Sequence, residues 1–81
     1  MDPVSVIDDI IRTAATVLRI DPASLGPDSD FFAMGGDSLA AIEFVAALEE
    51  SYDLDLDLDR FASCGRLSEL SRQLLAAAST E

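Results

Sequence analysis

The apolar positions fall into three stretches of helical spacing, separated by segments that break it. The first runs from about Pro3 to Arg19, where Val4, Ile7, Ile11, Ala14 and Leu18 recur at three and four, with Ile10 and Val17 beside them. Asp8, Asp9 and Arg12 fall away from that stripe, as on an amphipathic helix with one buried face. Asp2 is placed to cap its free N–H groups, and Pro3 suits the first helical position, where no donor is needed. A second helix is expected from Ser38 to about Tyr52, with Asp37 as its N-cap. Ile42, Val45, Leu48 or Glu49, and Tyr52 trace its inward line, widened by Phe44. Glu43, Glu49 and Glu50 look outward, and Leu39, Ala40 and Ala46 lie partly exposed beside them, giving a mixed apolar and acidic surface. The last helix is expected from about Arg66 to Ala78, burying Leu67, Leu70, Leu74 and Ala77 or Ala78, with Ser63, Cys64 and Gly65 each able to start it.

The breaks carry their own information. Pro22, Gly26 and Pro27 punctuate residues 20–36, and Gly35-Gly36 allow backbone angles closed to other residues. Such a length is unusual for a loop in a small domain and signals function or disorder. Leu25, Phe31, Phe32 and Met34 argue against disorder, because such side chains pin a loop to a core. Between Asp53 and Asp59, acid and leucine alternate. A lone strand has no partner here, so this is an extended connection that drops Leu54, Leu56 and Leu58 onto the bundle. A short helical turn over Asp59–Ser63 then carries Phe61 inward. The whole pattern is that of an all-α bundle.

Composition narrows the chemistry. Eighty-one residues make one domain over 1–81. Sixteen acids against five arginines, with no lysine and no histidine, give a net charge of −11. That balance argues against nucleic acid and anionic membranes, and favours partners with basic docking faces. Without histidine there is no Ser-His or Cys-His couple and no imidazole ligand; without lysine there is no Schiff base. Cys64 alone forms neither an internal disulfide nor a thiolate zinc cluster, and a single thiol suits a reducing cytoplasm. No signal-peptide pattern and no membrane-length apolar run is present in the sequence.

Three features suggest chemistry. Read from Asp53 as a calcium loop, the acidic run puts Leu58 where glycine is needed and Cys64 where glutamate is needed, so no metal site is expected beyond weak divalent-ion attraction. Cys64 has only Arg66 as a cationic neighbour in sequence and no base to activate it, and reads as a small residue at a helix junction. Gly36-Asp37-Ser38-Leu39 matches the GDSL hydrolase signature, but that chemistry needs a histidine base and an α/β sheet, and this chain supplies neither. Ser38 instead opens a helix after two glycines and a long anchored loop. Free N–H groups and the positive end of the helix dipole face any oxygen esterified there, so a phosphate diester would be well placed. Asp37 is positioned to help hold a metal ion while an external enzyme performs the transfer. The site is suited to being modified by something else.

The run Asp30-Phe31-Phe32-Ala33-Met34-Gly35-Gly36-Asp37-Ser38-Leu39 resembles the attachment segment of the acyl and peptidyl carrier proteins of fatty-acid, polyketide and nonribosomal-peptide synthesis. The resemblance continues through Tyr52, and Leu67-Ser68-Glu69-Leu70 is similar to the start of the family's last helix. It implies a small four-helix bundle, three longer helices plus one short, with a long first loop. It also implies a covalent 4′-phosphopantetheine arm on Ser38, flanked by Gly36, Asp37 and Leu39, that carries an acyl, aminoacyl or peptidyl thioester. On this reading the protein is not an enzyme. Its implied partners are a phosphopantetheinyl transferase, a loading enzyme of adenylation or acyltransferase type, and condensing or tailoring enzymes, met by a monomer through Leu39, Ala40, Glu43, Ala46, Glu49 and Glu50. Gly35-Gly36 resembles peptidyl carriers, whereas the acidity and the Asp/Leu run resemble acyl carriers. Cys64-Gly65 departs from the Pro-Thr that often precedes the last helix in peptidyl carriers. Met1 and the absence of linker sequence favour a free-standing, peptidyl-like carrier. The alternatives are an acyl carrier of polyketide or fatty-acid type, or an unmodified acidic helical interaction module.

Overall fold

In the computed structural model, which describes residues 2–79, the chain runs through α1 (Pro3–Leu18), α2 (Ser38–Tyr52), α3 (Leu58–Cys64) and α4 (Leu67–Ser79). A single 3₁₀ turn, Pro22–Ser24, interrupts the first connection. The expected bundle of three longer helices and one short one is what forms, with α1 packed on both α2 and α4. Three of the four starts obey local chemistry: Asp2, Asp37 and Asp57 are extended residues whose carboxylates accept N–H groups of the first turns of α1, α2 and α3.

The core is wholly apolar. Val6, Ile10, Ala14 and Ala15 of α1 meet Ala41, Phe44, Val45 and Leu48 of α2, Phe61 of α3, and Leu67, Leu70 and Leu74 of α4. Leu25 and Phe31 enter the same core from the first connection. Leu54, Leu56 and Leu58 pack against it half-buried, as the alternating run requires.

Several positions sit differently from the sequence expectation. On α1 the buried ridge is Val6–Ile10–Ala14; Ile7, Ile11 and Leu18 lie at its edge, and Val4 is 72% exposed in the first turn. The apolar arc of that helix is wider than its line of contact, so spacing alone does not choose the ridge. On α2, Ile42 is 51% exposed, because Ala41 and Phe44 take the inward direction instead. Met34 is also exposed and does not anchor the loop, which Leu25 and Phe31 hold, with Phe32 packed half-buried beside them.

The start of α4 is not at residues 63–65. Gly65 adopts a left-handed conformation (φ 73°) that closes α3, its N–H donating to Phe61. The first N–H groups of α4 are satisfied by the long loop: Leu67 N donates to Ser29 O at 3.2 Å and Ser68 N to Pro27 O at 2.9 Å. Phe31 N donates to Gly65 O at 2.8 Å, and Asp30 and Arg66 pair as a short antiparallel bridge. A capping side chain is unnecessary where a crossing backbone supplies the acceptors.

Candidate functional site

The residues leading to Ser38 form one closed turn. Asp30 Oδ1 accepts from Phe32 N at 2.9 Å and Ala33 N at 3.3 Å, which opens the turn. Gly35 N donates to Phe32 O at 3.1 Å and Gly36 N to Phe31 O at 3.0 Å, which closes it. This paired closure is the same one that ends helices, and it needs a left-handed residue, here Gly35 at φ 107°. Gly36 is required for a different reason than its neighbour. A Cβ there would run into the Phe31 ring and lie 2.8 Å from the Phe31 carbonyl oxygen. The sequence expectation of special backbone angles at both glycines therefore holds for Gly35 only; Gly36 serves close approach.

Asp37 follows and caps α2. Its Oδ1 accepts from Ala40 N at 2.8 Å and its carbonyl from Ala41 N at 2.9 Å. The N–H groups of Ser38 and Leu39 are left without partners among the described residues. Ser38 is exposed, and its hydroxyl makes no hydrogen bond among the described residues. The chain contains no histidine to activate that hydroxyl, and the Asp37 carboxylate is engaged in capping. An oxygen esterified at Ser38 would face two unpartnered N–H groups and the positive end of the helix dipole, both favourable to a phosphate.

Ser38 stands exposed to solvent at the start of α2. A groove of about 440 Å³ lies on the α3–α4 side and is lined by Asp55, Asp57, Arg60, Glu69, Arg72 and Gln73, remote in sequence from the Ser38 turn. Exposed apolar side chains flank the serine instead: Met34, Leu39 (65% exposed) and Ile42. Leu39, Glu43, Ala46 and Glu50 are exposed at helical spacing and form one ridge running away from Ser38. Ala40 lies half-buried at its side. Glu49 does not look outward: its carboxylate accepts from Leu56 N at 2.8 Å and is spent holding the α2–α3 connection. Ile42 joins the ridge, and its spacing of three from Leu39 and four from Ala46 was the signal for it.

Cys64 is exposed at the α3–α4 junction in a shallow groove with Arg66, Ser68, Glu69 and Arg72. Among the described residues no three His, Cys, Asp or Glu side chains converge as a metal site, the Asp53–Asp59 run included. No described helix is long and apolar enough to cross a membrane.

The chain resembles known proteins in sequence and in fold. The family description "Phosphopantetheine attachment site" matches residues 8–74. AM-toxin synthetase AMT1 of Alternaria alternata is 39% identical over 61 residues, which is 72% of this chain and 1% of the synthetase. Nonribosomal peptide synthetase sidD of Aspergillus fumigatus is 39% identical over 71 residues, 84% of this chain and 3% of that protein. The chain thus spans 1% and 3% of the length of these two relatives. Among solved structures, a free-standing peptidyl carrier protein from an Acinetobacter baumannii secondary metabolic pathway superposes with a TM-score of 0.84 at 23% identity, covering 95% of this chain and 96% of that one. The HMG-ACPI domain of the CurA module from Lyngbya majuscula gives 0.86 at 20% identity, covering 98% of this chain and 80% of that one. At those identities the likeness is one of fold.

Proposed function

The chain belongs to the phosphopantetheine attachment-site family, whose members are non-catalytic carriers of 4′-phosphopantetheine on a serine, and we propose that Ser38 is that serine here. The observation that carries the assignment is the exposed, unpartnered Ser38 hydroxyl at the first position of α2, beside the unpaired N–H groups of Ser38 and Leu39. In the loading reaction the Ser38 oxygen bonds the phosphorus nearest the pantetheine of coenzyme A. The pyrophosphate bond breaks, adenosine 3′,5′-bisphosphate leaves, and the hydroxyl proton passes to a base of the transferase. The bound arm supplies a terminal thiol for a thioester. Asp37 and Gly36 hold the serine in place, and Leu39 flanks it.

The cargo proposed is aminoacyl or peptidyl. Supporting this are the Gly35-Gly36 pair and the identity to segments of nonribosomal peptide synthetases. An adenylation enzyme would load the arm, and condensing or tailoring enzymes would take the cargo, with the tether raising its local concentration for each. The docking ridge proposed is Leu39, Ile42, Glu43, Ala46 and Glu50, an apolar line edged by acids that suits a partner face of apolar and basic residues. The form proposed is a monomeric carrier domain, working in the cytoplasm.

Intact mass after incubation with coenzyme A, magnesium and a broad-specificity phosphopantetheinyl transferase tests the assignment. One phosphopantetheine increment on the parent and none on Ser38→Ala is expected. A folded parent with no increment, or an increment on Ser38→Ala, would remove Ser38 from its role. Subsequent loading by discrete adenylation enzymes, set against acyltransferases, separates peptidyl from acyl carriage.

A further inference from the structure

Two residues outside α2 control where its first turn sits, and we propose that Asp30 and Gly65 are positioning residues for modification at Ser38. The inference rests on the reading of Ser38 as the modified hydroxyl. Asp30 opens the turn that ends at Gly36, its Oδ1 accepting from both Phe32 N and Ala33 N and its carbonyl from Met34 N at 3.1 Å. Gly36 is followed directly by Asp37, the cap of α2, and then by Ser38. No loose residue separates the Asp30 carboxylate from the serine: each step is a hydrogen-bonded turn or a cap.

Asp30 is itself held from across the bundle. Gly65 O accepts from Phe31 N, and Asp30 and Arg66 face each other as a bridge. A Cβ built on Gly65 would lie 2.5 Å from Asp30 Oδ1 and 3.1 Å from the Phe32 ring. Any side chain at 65 therefore displaces the oxygen that opens the turn, and at φ 73° it is strained as well. Gly65 closes α3 and also leaves room for the Asp30 carboxylate, so one substitution at 65 and one at 30 disturb the same object.

A matched control separates positioning from plain stability. Asp57 Oδ1 accepts from Arg60 N at 3.0 Å and caps α3 by the same kind of bond, at the end of that helix away from Gly65 and with no hydrogen bond to the turn before Ser38. Transferase kinetics are measured below the melting midpoints of all variants, with KM for the carrier and kcat determined separately. Asp30→Ala is expected to raise KM about tenfold with kcat nearly unchanged, since only the fraction of free carrier with the turn closed presents the hydroxyl to the transferase. Asp30→Asn keeps an oxygen acceptor and restores the parental KM. Gly65→Ala reproduces Asp30→Ala, and the double variant is no worse than either single one. Asp57→Ala lowers the melting midpoint and leaves KM alone.

Amide ¹⁵N relaxation on the unmodified protein reads the same positioning without any transferase. Asp30→Ala is expected to loosen Gly36, Ser38 and Leu39, and Asp57→Ala to leave them unchanged. Parental KM and parental relaxation in Asp30→Ala would overturn the inference, as would an equal effect from Asp57→Ala. A parent chain that gains no mass would instead strike the assignment of Ser38, with the relaxation result still deciding the role of Asp30.

Discussion

The ring of Phe31 lies face to face with that of Phe44, centroids 5.0 Å apart and planes within 8°. One belongs to the turn before Ser38 and the other to α2 after it, so the stack clamps the serine's two flanks together. Phe61 closes the group edge-on, 5.8 Å from Phe31 and 5.6 Å from Phe44. All three rings are fully buried. Truncating either stacked ring leaves a cavity that backbone caps cannot fill. Phe31→Ala and Phe44→Ala are each expected to cost about 3–5 kcal/mol. Urea denaturation checks this, and a loss below about 1 kcal/mol would contradict so complete a burial.

The glycines of the first connection should respond in opposite senses. Gly36→Ala forces a methyl into the Phe31 ring and carbonyl and is expected to destabilise by about 1–3 kcal/mol. A Cβ at Gly26 meets nothing within 4 Å and φ there is ordinary. Gly26→Ala is therefore expected to be neutral or to stabilise by up to about 1 kcal/mol, through a less mobile unfolded chain. Thermal melts of the two variants side by side decide it.

The helices and the serine were legible because they rest on local chemistry. Asp37 before an apolar run fixes the start of α2, and Asp2-Pro3 fixes that of α1, whatever the bundle does around them. Residues whose roles depend on crossing segments were not legible. Nothing near Leu67 in the sequence reveals that Ser29 and Pro27 cap α4 from 38 and 41 residues away. Glu49 reads as one more outward acid until Leu56 N is found on its carboxylate. Ile42 misled because α2 carries apolar residues on both its inner face and its outer ridge, so spacing gave two acceptable inward lines.

Ile42 in consequence separates stability from docking. At 51% exposure its side chain contributes little to the core, and Ile42→Ala is expected to cost less than about 1 kcal/mol. The same truncation removes apolar area one turn from Ser38, and transferase efficiency should fall several-fold more than stability explains. A parental kcat/KM in Ile42→Ala would take this residue off the ridge.

Charge should govern stability more than the two ion pairs among the described residues do. Arg12–Asp8 and Arg72–Glu69 are helix-surface pairs one turn apart, of a kind worth only a few tenths of a kcal/mol. Against them stands a net charge of −11, with Asp53, Asp55, Asp57 and Asp59 spaced along one connection. Screening relieves that self-repulsion, so sodium chloride or magnesium is expected to raise the melting midpoint. A midpoint falling with salt would mean that the pairs outweigh the repulsion.

Tyr52 gives the fold a sensor at high pH. Its hydroxyl donates to Asp9 Oδ2 at 2.6 Å, tying the end of α2 to α1. Burial, then the hydrogen bond to Asp9 and the negative charge of that carboxylate, push its pKa from 10.0 up to about 12. All three causes favour the neutral phenol in the folded state. The contribution to stability is therefore complete below pH 10 and is lost as pH rises from there through about 12. It is the chain's only tyrosine, so tyrosinate absorbance reports it without overlap. The folded protein should titrate near 12, and Asp9→Asn should lower that midpoint only part of the way, because burial is the largest cause. Tyr52→Phe should cost about 1 kcal/mol at neutral pH and flatten the alkaline fall in stability. A folded-state midpoint at the ordinary value of 10 would show that the Tyr52–Asp9 contact does not persist in solution.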